Sequence, residues 1–393
     1  MASPAARTVL DRPATPTDGV LPGSGARVLV VTGSVGAGHD GAAHELAARL
    51  TAAGAQVEVR DLLDALRPPL ARALRSGYAG GVGRAPVLVE LLYRRLEHRG
   101  LLWAIERRIC HAAETTVRDW VGAIDPDVVV TTYPLAAQTL GELRAAGDIT
   151  VPVLTYLTDP AVHVSWLHPA VDAHLTVTAA TAAQGRRDYD LGFTVAGPLV
   201  PTRFGQPMDL AELVALRAEV GVRTDRPVAL LVAGSLGLGD VAGAALDVAA
   251  TGFTPVVLCG RNAALRDRLD RLPGVVALGW RTDVHRLMQV ADVLVHNAGG
   301  LTCTEALVAG LPTVTYKPIP GHGRANAAVL HDSGLGPWAT DPVDLRAALL
   351  EQLGRDRTPP AMPDPTDTVL SWVPAARKLA RPAARAAALA VAA

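Results

Sequence analysis

Lysine, aromatic side chains, cysteine and long apolar runs are all scarce in this 393-residue chain. The lysines are Lys317 and Lys378, so arginine supplies nearly all positive charge, which reads as coding bias before function. Six Trp, six Tyr and three Phe leave the core to Ala, Val and Leu and make each aromatic ring informative. Cys110, Cys259 and Cys303 are odd in number, far apart and set among apolar neighbours. That pattern excludes a disulfide scaffold and points to buried thiols in a reducing cytosol. The apolar runs are broken by charge, Gly or Pro short of the 18 residues that suggest a membrane span, so the expectation is a soluble or peripheral protein. Residues 1–25 have early acidic residues and a Pro-rich run where a signal peptide has a continuous apolar stretch, and they read as a disordered leader.

With 49% hydrophobic residues over this length, the chain holds enough apolar mass for two domains. Gly and Pro, 37 and 29, show no period and exclude a collagen-like chain. The net charge of -1 conceals an asymmetry, because residues 67–118 carry ten arginines against Glu90, Glu97, Glu106 and Glu114. A basic face of this kind suits anionic lipid or nucleic acid, but no nucleic-acid motif accompanies it. The expected partner there is an anionic membrane surface on the cytoplasmic side, and the alternative is a solvated helix face.

The segment 27–32 is a β-branched run that ends in a Gly-rich loop, and helical periodicity follows from residue 39. Further strands are expected at 57–59, 128–131, 151–157, 171–178 and 193–196, with helices between them and a helical Arg-rich insert at 86–120. A second βα series starts at 228–233 and continues through 256–259, 275–278, 293–296 and 313–316. The fold class is therefore α/β, two doubly wound parallel sheets facing across a cleft. The expected boundaries are 26–205 for the first domain with its insert at 67–118, 206–350 for the second, and 351–393 for a linker and a Pro-kinked terminal helix returning to the first.

Chemistry-bearing residues gather where strands end. Gly36 and Gly38 allow close backbone approach at a helix start, and His39 beside them is poised near neutral pH, or else packs or caps that helix. The segment 155–168 places Asp159, His163, Trp166 and His168 beyond a strand end. Asp159 reads either as a proton acceptor for a hydroxyl or as an Asx turn before Pro160. In the second series, Gly234, Ser235 and Gly237 form a loop suited to phosphate. Gly299, Gly300, Thr302 and Glu305 open a helix, with Glu305 one turn beyond Thr302, expected on the first helical turn and able to grip a diol. His322, Arg324 and Asn326 follow Gly321 with groups that suit sugar hydroxyls or diphosphate. No strong metal-ligand spacing is present, and no metal or cofactor is expected.

Over residues 27–345 these motifs resemble the GT-B glycosyltransferases, most closely the diacylglycerol glycosyltransferases typified by monogalactosyldiacylglycerol synthase, and more distantly MurG. Gly36-Ala37-Gly38-His39 stands where the family has GGGH. Thr158, Asp159, His163 and Trp166 match its TD…H…W segment, and Gly197, Pro198, Val200 and Phe204 loosely match GxPVxxxF. The resemblance implies that His39 and its neighbourhood, with Gly36, Gly38, His163 and Trp166, meet the acceptor. It also implies a UDP-sugar, a substrate, lying in the second domain, with Glu305 at the ribose, the 234–239 loop and Thr302 at the diphosphate, and the backbone of Arg281 at the uracil. One departure stands out. The family's IPGQE…N is here Ile319, Pro320, Gly321, His322, Gly323 and Asn326, so the sugar-binding Gln and Glu positions become His and Gly.

The expected function is inverting, metal-independent transfer of a sugar to a hydroxyl of a lipid or specialised-metabolite acceptor, with His39 or Asp159 as base. A nucleotide-sugar 2-epimerase and a non-catalytic nucleotide-sugar-binding or lipid-associated protein remain as alternatives.

Overall fold

The computed structural model describes residues 23–75, 86–97, 100–222, 225–232, 234 and 237–374. The first 22 residues of the expected leader, Ser235, and most of the terminal helix expected after residue 371 lie outside them.

The first sheet has the order β2-β1-β3-β4-β5-β6, and each paired neighbour is parallel. Its strands are β1 (Arg27–Thr32), β2 (Gln56–Asp61), β3 (Val128–Thr131), β4 (Val153–Leu157), β5 (Ala173–Thr176) and β6 (Phe193–Val195). Helices α1 (Ala37–Ala52), α2 (Pro86–Leu96), α3 (Leu101–Ile124), α4 (Pro134–Ala146) and α5 (Ala179–Asp188) connect them. β3 and β4 are buried along their whole length because helices cover both faces, which is why they read as unbroken apolar runs. β2, at the sheet edge, alternates exposed and half-buried residues through QVEVRD. The insert expected as one helical face is two helices, α2 and α3, broken between Leu96 and Leu101.

The second sheet has the order β12-β11-β10-β7-β8-β9, again parallel at each pairing. Its strands are β7 (Val228–Val232), β8 (Thr254–Leu258), β9 (Val276–Leu278), β10 (Val293–His296), β11 (Thr313–Tyr316) and β12 (Trp338–Ala339). Its helices are α6 (Leu210–Glu219), α7 (Val241–Ala250), α8 (Ala263–Leu269), α9 (Val284–Val290), α10 (Gly300–Ala309), α11 (His322–Asp332) and α12 (Pro342–Leu353).

In both sheets the chain reverses its direction of build-up once, between β1 and β3 and between β7 and β10. Crevices at the carboxyl ends of strands open at such reversals. The two Gly-rich loops of the first reversal and of the second are therefore the ones that meet.

After α12 the chain returns. The Arg357 guanidinium donates to the carbonyls of Ala291 and Met288 on the second domain, and Asp364 then pairs with Arg49 of α1. Helix α13 (Pro365–Ser371) follows, upstream of the segment read from sequence as helical. Val369, Leu370 and Val373 are buried in the core between α1 and the first sheet.

Candidate active site

The amino ends of α1 and α10 face each other. The nearest heavy atoms to a Cβ built on Gly38 and on Gly41 are side-chain atoms of Leu301, at 3.7 and 3.2 Å. Between the domains lies a cleft of about 480 Å³, within the size range of small-molecule sites.

Its first-domain wall contains Gly36, Gly38, His39, Asp159, His163 and Trp166. His39 sits on the first turn of α1, its carbonyl accepting from Thr132 Oγ1 at 3.0 Å and its Nδ1 lying 3.2 Å from Thr158 Oγ1. The ring packs edge-on to Tyr133 at 5.2 Å and tilted against Trp166 at 5.6 Å. Enclosure lowers its pKa below the ordinary imidazole value, while the Asp159 carboxylate pulls the other way. The neutral ring keeps a lone pair for a proton. Asp159 accepts from Trp166 Nε1 at 3.3 Å and from Asn326 Nδ2 at 3.2 Å. The Ala161 N–H that an Asx turn would use donates to Asn326 Oδ1 instead, and the Asp159 oxygens are oriented by one indole and one amide beside the cleft.

His163 is buried, stacks on Tyr93 at 4.2 Å and points Nε2 at Glu97, 3.3 Å away. Burial lowers its pKa against the pull of Glu97. His168 faces Glu142 instead, so the two imidazoles do not converge. Among the described residues no group of three His, Cys, Asp or Glu side chains is placed to hold a metal ion.

The second-domain wall contains Gly234, Arg281, Gly299, Gly300, Thr302 and His322. Gly234 has φ +70°, a left-handed backbone that favours glycine. Arg281 lines the cleft beside half-exposed Trp280, and its guanidinium binds Asp283 and Glu219. The Arg261 guanidinium lies 4.6 Å over the Trp280 ring.

Four expected donor residues are placed differently. Gly237 is buried away from the cleft, and a Cβ there would come within 2.9 Å of Leu265. Glu305 lies on the second turn of α10, since the helix begins at Gly300, and is half-buried. Burial lifts its pKa to about 7 against the opposing charge of Arg203. Arg324 is half exposed and reaches toward Glu90 of α2, 3.9 Å away. Asn326 is fully buried, its amide bonded to Asp159, Ala161 and Ala298.

The His-Gly departure has a steric basis. A Cβ on Gly323 would stand 2.6 Å from Ile319 Cγ1 and 3.2 Å from the Asn297 carbonyl, so this backbone has no room for a glutamate. His322 does line the cleft, with the Tyr93 ring 6.5 Å away. Tyr93, Tyr133 and Ser165 are cleft residues that sequence reasoning passed over. The scarcity of aromatics was the available signal for the two tyrosines, and only the structure shows that the Tyr133 ring occupies the space where a Cβ on Gly33 would fall.

Residues 39–188 match the family described as monogalactosyldiacylglycerol (MGDG) synthase. The processive diacylglycerol beta-glucosyltransferase of Bacillus pumilus is 27% identical over 223 residues, covering 53% of this chain and 56% of the relative. The enzyme of the same description from Bacillus cereus is 29% identical over 221 residues, covering 53% and 55%. The chain thus spans about half the length of the curated relatives it matches. Among solved structures, Acinetobacter baumannii MurG superposes with TM-score 0.55 at 19% identity, covering 88% of this chain and 99% of MurG. The spinosyn rhamnosyltransferase SpnG, complexed with thymidine diphosphate, superposes with TM-score 0.57 at 17% identity and covers 88% and 99%. The chain has the GT-B fold, is similar over about half its length to the diacylglycerol glucosyltransferase and MGDG synthase family, and shares its fold with MurG.

Proposed function

We propose that this protein is an inverting, metal-independent glycosyltransferase that moves a sugar from a UDP-sugar to a hydroxyl of a lipid or specialised-metabolite acceptor. The observation that carries the reading is one cleft with a neutral imidazole beside a carboxylate on one wall and the amino end of α10, with Gly299, Gly300 and Thr302, on the other.

His39 accepts the acceptor's hydroxyl proton while Asp159 balances the imidazolium that forms. The hydroxyl oxygen bonds to the anomeric carbon as the bond from that carbon to the diphosphate oxygen breaks. The unpaired N–H groups and dipole of α10 stabilise the departing negative charge. Glu305 takes the ribose hydroxyls and the Arg281 backbone the uracil, as in the related family. The names of the Bacillus relatives, which act on diacylglycerol, favour a lipid acceptor.

The outer faces of α2 and α3 suit an anionic membrane surface. Val87, Leu91, Leu101 and Ile105 are exposed on these helices, as are Arg95, Arg107 and Arg108. No described helix is long and apolar enough to cross a membrane.

The test is mass spectrometry of products from a panel of donors and acceptors, with His39→Ala, Asp159→Asn and Glu305→Gln variants. Loss of one base is expected to lower kcat about 10²- to 10⁴-fold. Loss of Glu305 is expected to raise the donor KM. Unchanged kinetics in all three variants would overturn the assignment, and a 2-epimer formed from the UDP-sugar alone would replace transfer with epimerisation.

A further inference from the structure

We infer that Asn326 is a positioning residue that completes the acceptor-side carboxylate only when the two domains are closed. This rests on the reading of Asp159 as part of the proton-transfer machinery.

Asn326 belongs to α11 of the second domain, yet two of its three hydrogen-bond partners belong to the first. Its Nδ2 donates to Asp159 Oδ1 at 3.2 Å and to the Ala298 carbonyl at 3.0 Å, and its Oδ1 accepts from the Ala161 N–H at 2.9 Å. The side chain has no solvent exposure, so both amide hydrogens are committed within the protein. A sugar hydroxyl in the cleft finds no donor left on this group.

The third partner ties the same amide to the phosphate-facing loop. Ala298 is a non-glycine residue at φ +68°, a backbone conformation that needs support from its surroundings. Its N–H donates to His296 Nδ1 at 3.0 Å while its carbonyl takes the Asn326 hydrogen bond. Gly299 and Gly300, which open α10, follow directly. A Cβ on Gly300 would stand 2.3 Å from the Thr158 carbonyl and 3.1 Å from Asp159 Oδ1, so the two domains meet backbone to backbone at this point.

One carboxamide therefore couples the loop that faces the leaving diphosphate to the carboxylate that faces the acceptor. Separation of the domains removes one of the two side-chain donors to Asp159 and leaves Trp166 Nε1 alone on the other oxygen. A donor that binds across the amino end of α10 and holds the cleft shut also sets Asp159, so acceptor activation follows donor binding. Only a planar amide of this length meets the requirement. Aspartate has no donor and would set two carboxylates against each other, and alanine has neither group.

The experiment uses the full chain with Asn326→Ala and Asn326→Asp, the latter keeping size and the acceptor for Ala161. For a donor and acceptor pair that the wild type turns over, kcat is expected to fall about 10²-fold, with donor KM within about threefold of wild type. The double variant with Asp159→Asn is expected to lose no more than Asp159→Asn alone, because both changes act on one carboxylate. A raised donor KM at unchanged kcat would make Asn326 a sugar ligand and overturn the inference, as would additive losses in the double variant. A second readout needs no turnover. The Trp166 indole N–H resonance, identified with Trp166→Phe in a 15N-tryptophan-labelled sample, is expected to shift in Asn326→Ala as it does in Asp159→Asn, and an unmoved resonance would overturn the positioning role. A wild type that transfers no sugar while this resonance shifts would refute the proposed function and leave the contact standing.

Discussion

Glu305 shows how a single side chain converts burial into a testable pH dependence. Its pKa of about 7 arises because burial disfavours the carboxylate, and Arg203 offsets this only in part. Gripping a ribose diol requires the ionised form, so donor affinity strengthens as pH rises through 7. Binding of UDP-glucose, whose diphosphate stays ionised throughout, is expected to tighten about tenfold between pH 6 and pH 8, and Glu305→Gln to flatten that response. Calorimetric titration of both proteins checks it, and equal slopes would remove Glu305 from the donor site. At this scale the sequence was informative about residue type and weak about role. His39, Asp159 and Trp166 were recognisable beside strand ends. Asn326 was legible as a polar residue near a glycine turn, but not as a buried bridge, because its partners lie 28 to 167 positions away.

Among the elements, α2 is the one whose two faces have different tasks. Inward, Glu90 accepts from the Gly321 N–H at 2.6 Å and pairs with Arg94, and Tyr93 packs over His163. Outward, Leu91 and Leu92 are exposed at 48% and 39%. If that face docks on lipid, Leu91→Glu with Leu92→Glu weakens sedimentation with anionic vesicles about tenfold and leaves UDP binding intact. Equal sedimentation of the variant and wild type would exclude this face as the contact. Strand periodicity and the helical character of the insert were readable along the chain. The break between α2 and α3 carried a signal that was not used, Gly100 at the start of α3, whereas the inward contact of α2 with the second domain left none.

The whole molecule depends on its return segment. Gly310, at φ +62°, lies so close to the Arg357 carbonyl that a Cβ would be 1.9 Å from it, and Gly197, at φ +87°, meets the Pro363 carbonyl at the same distance. The chain is thereby pressed against both domains before α13 fills the core beside α1. Leu370→Ala is expected to cost about 2–5 kcal/mol, as a large buried aliphatic group does when truncated. Urea unfolding checks the value, and a change below about 0.5 kcal/mol, the level of an exposed site, would show that α13 does not belong to that core. The sequence by itself determined two parallel α/β sheets and the loops at their carboxyl ends, because strand and helix periodicity and glycine placement are local properties of the chain. It also pointed to three buried thiols, and Cys110, Cys259 and Cys303 are buried in the structure. Only the tertiary structure decided which loops share a cleft, that Gly323 leaves no space for a carboxylate, and that Asn326 joins Asp159 to the α10 loop. Those outcomes follow from the approach of two separately built sheets, and contact across such a gap leaves no periodic trace in either segment.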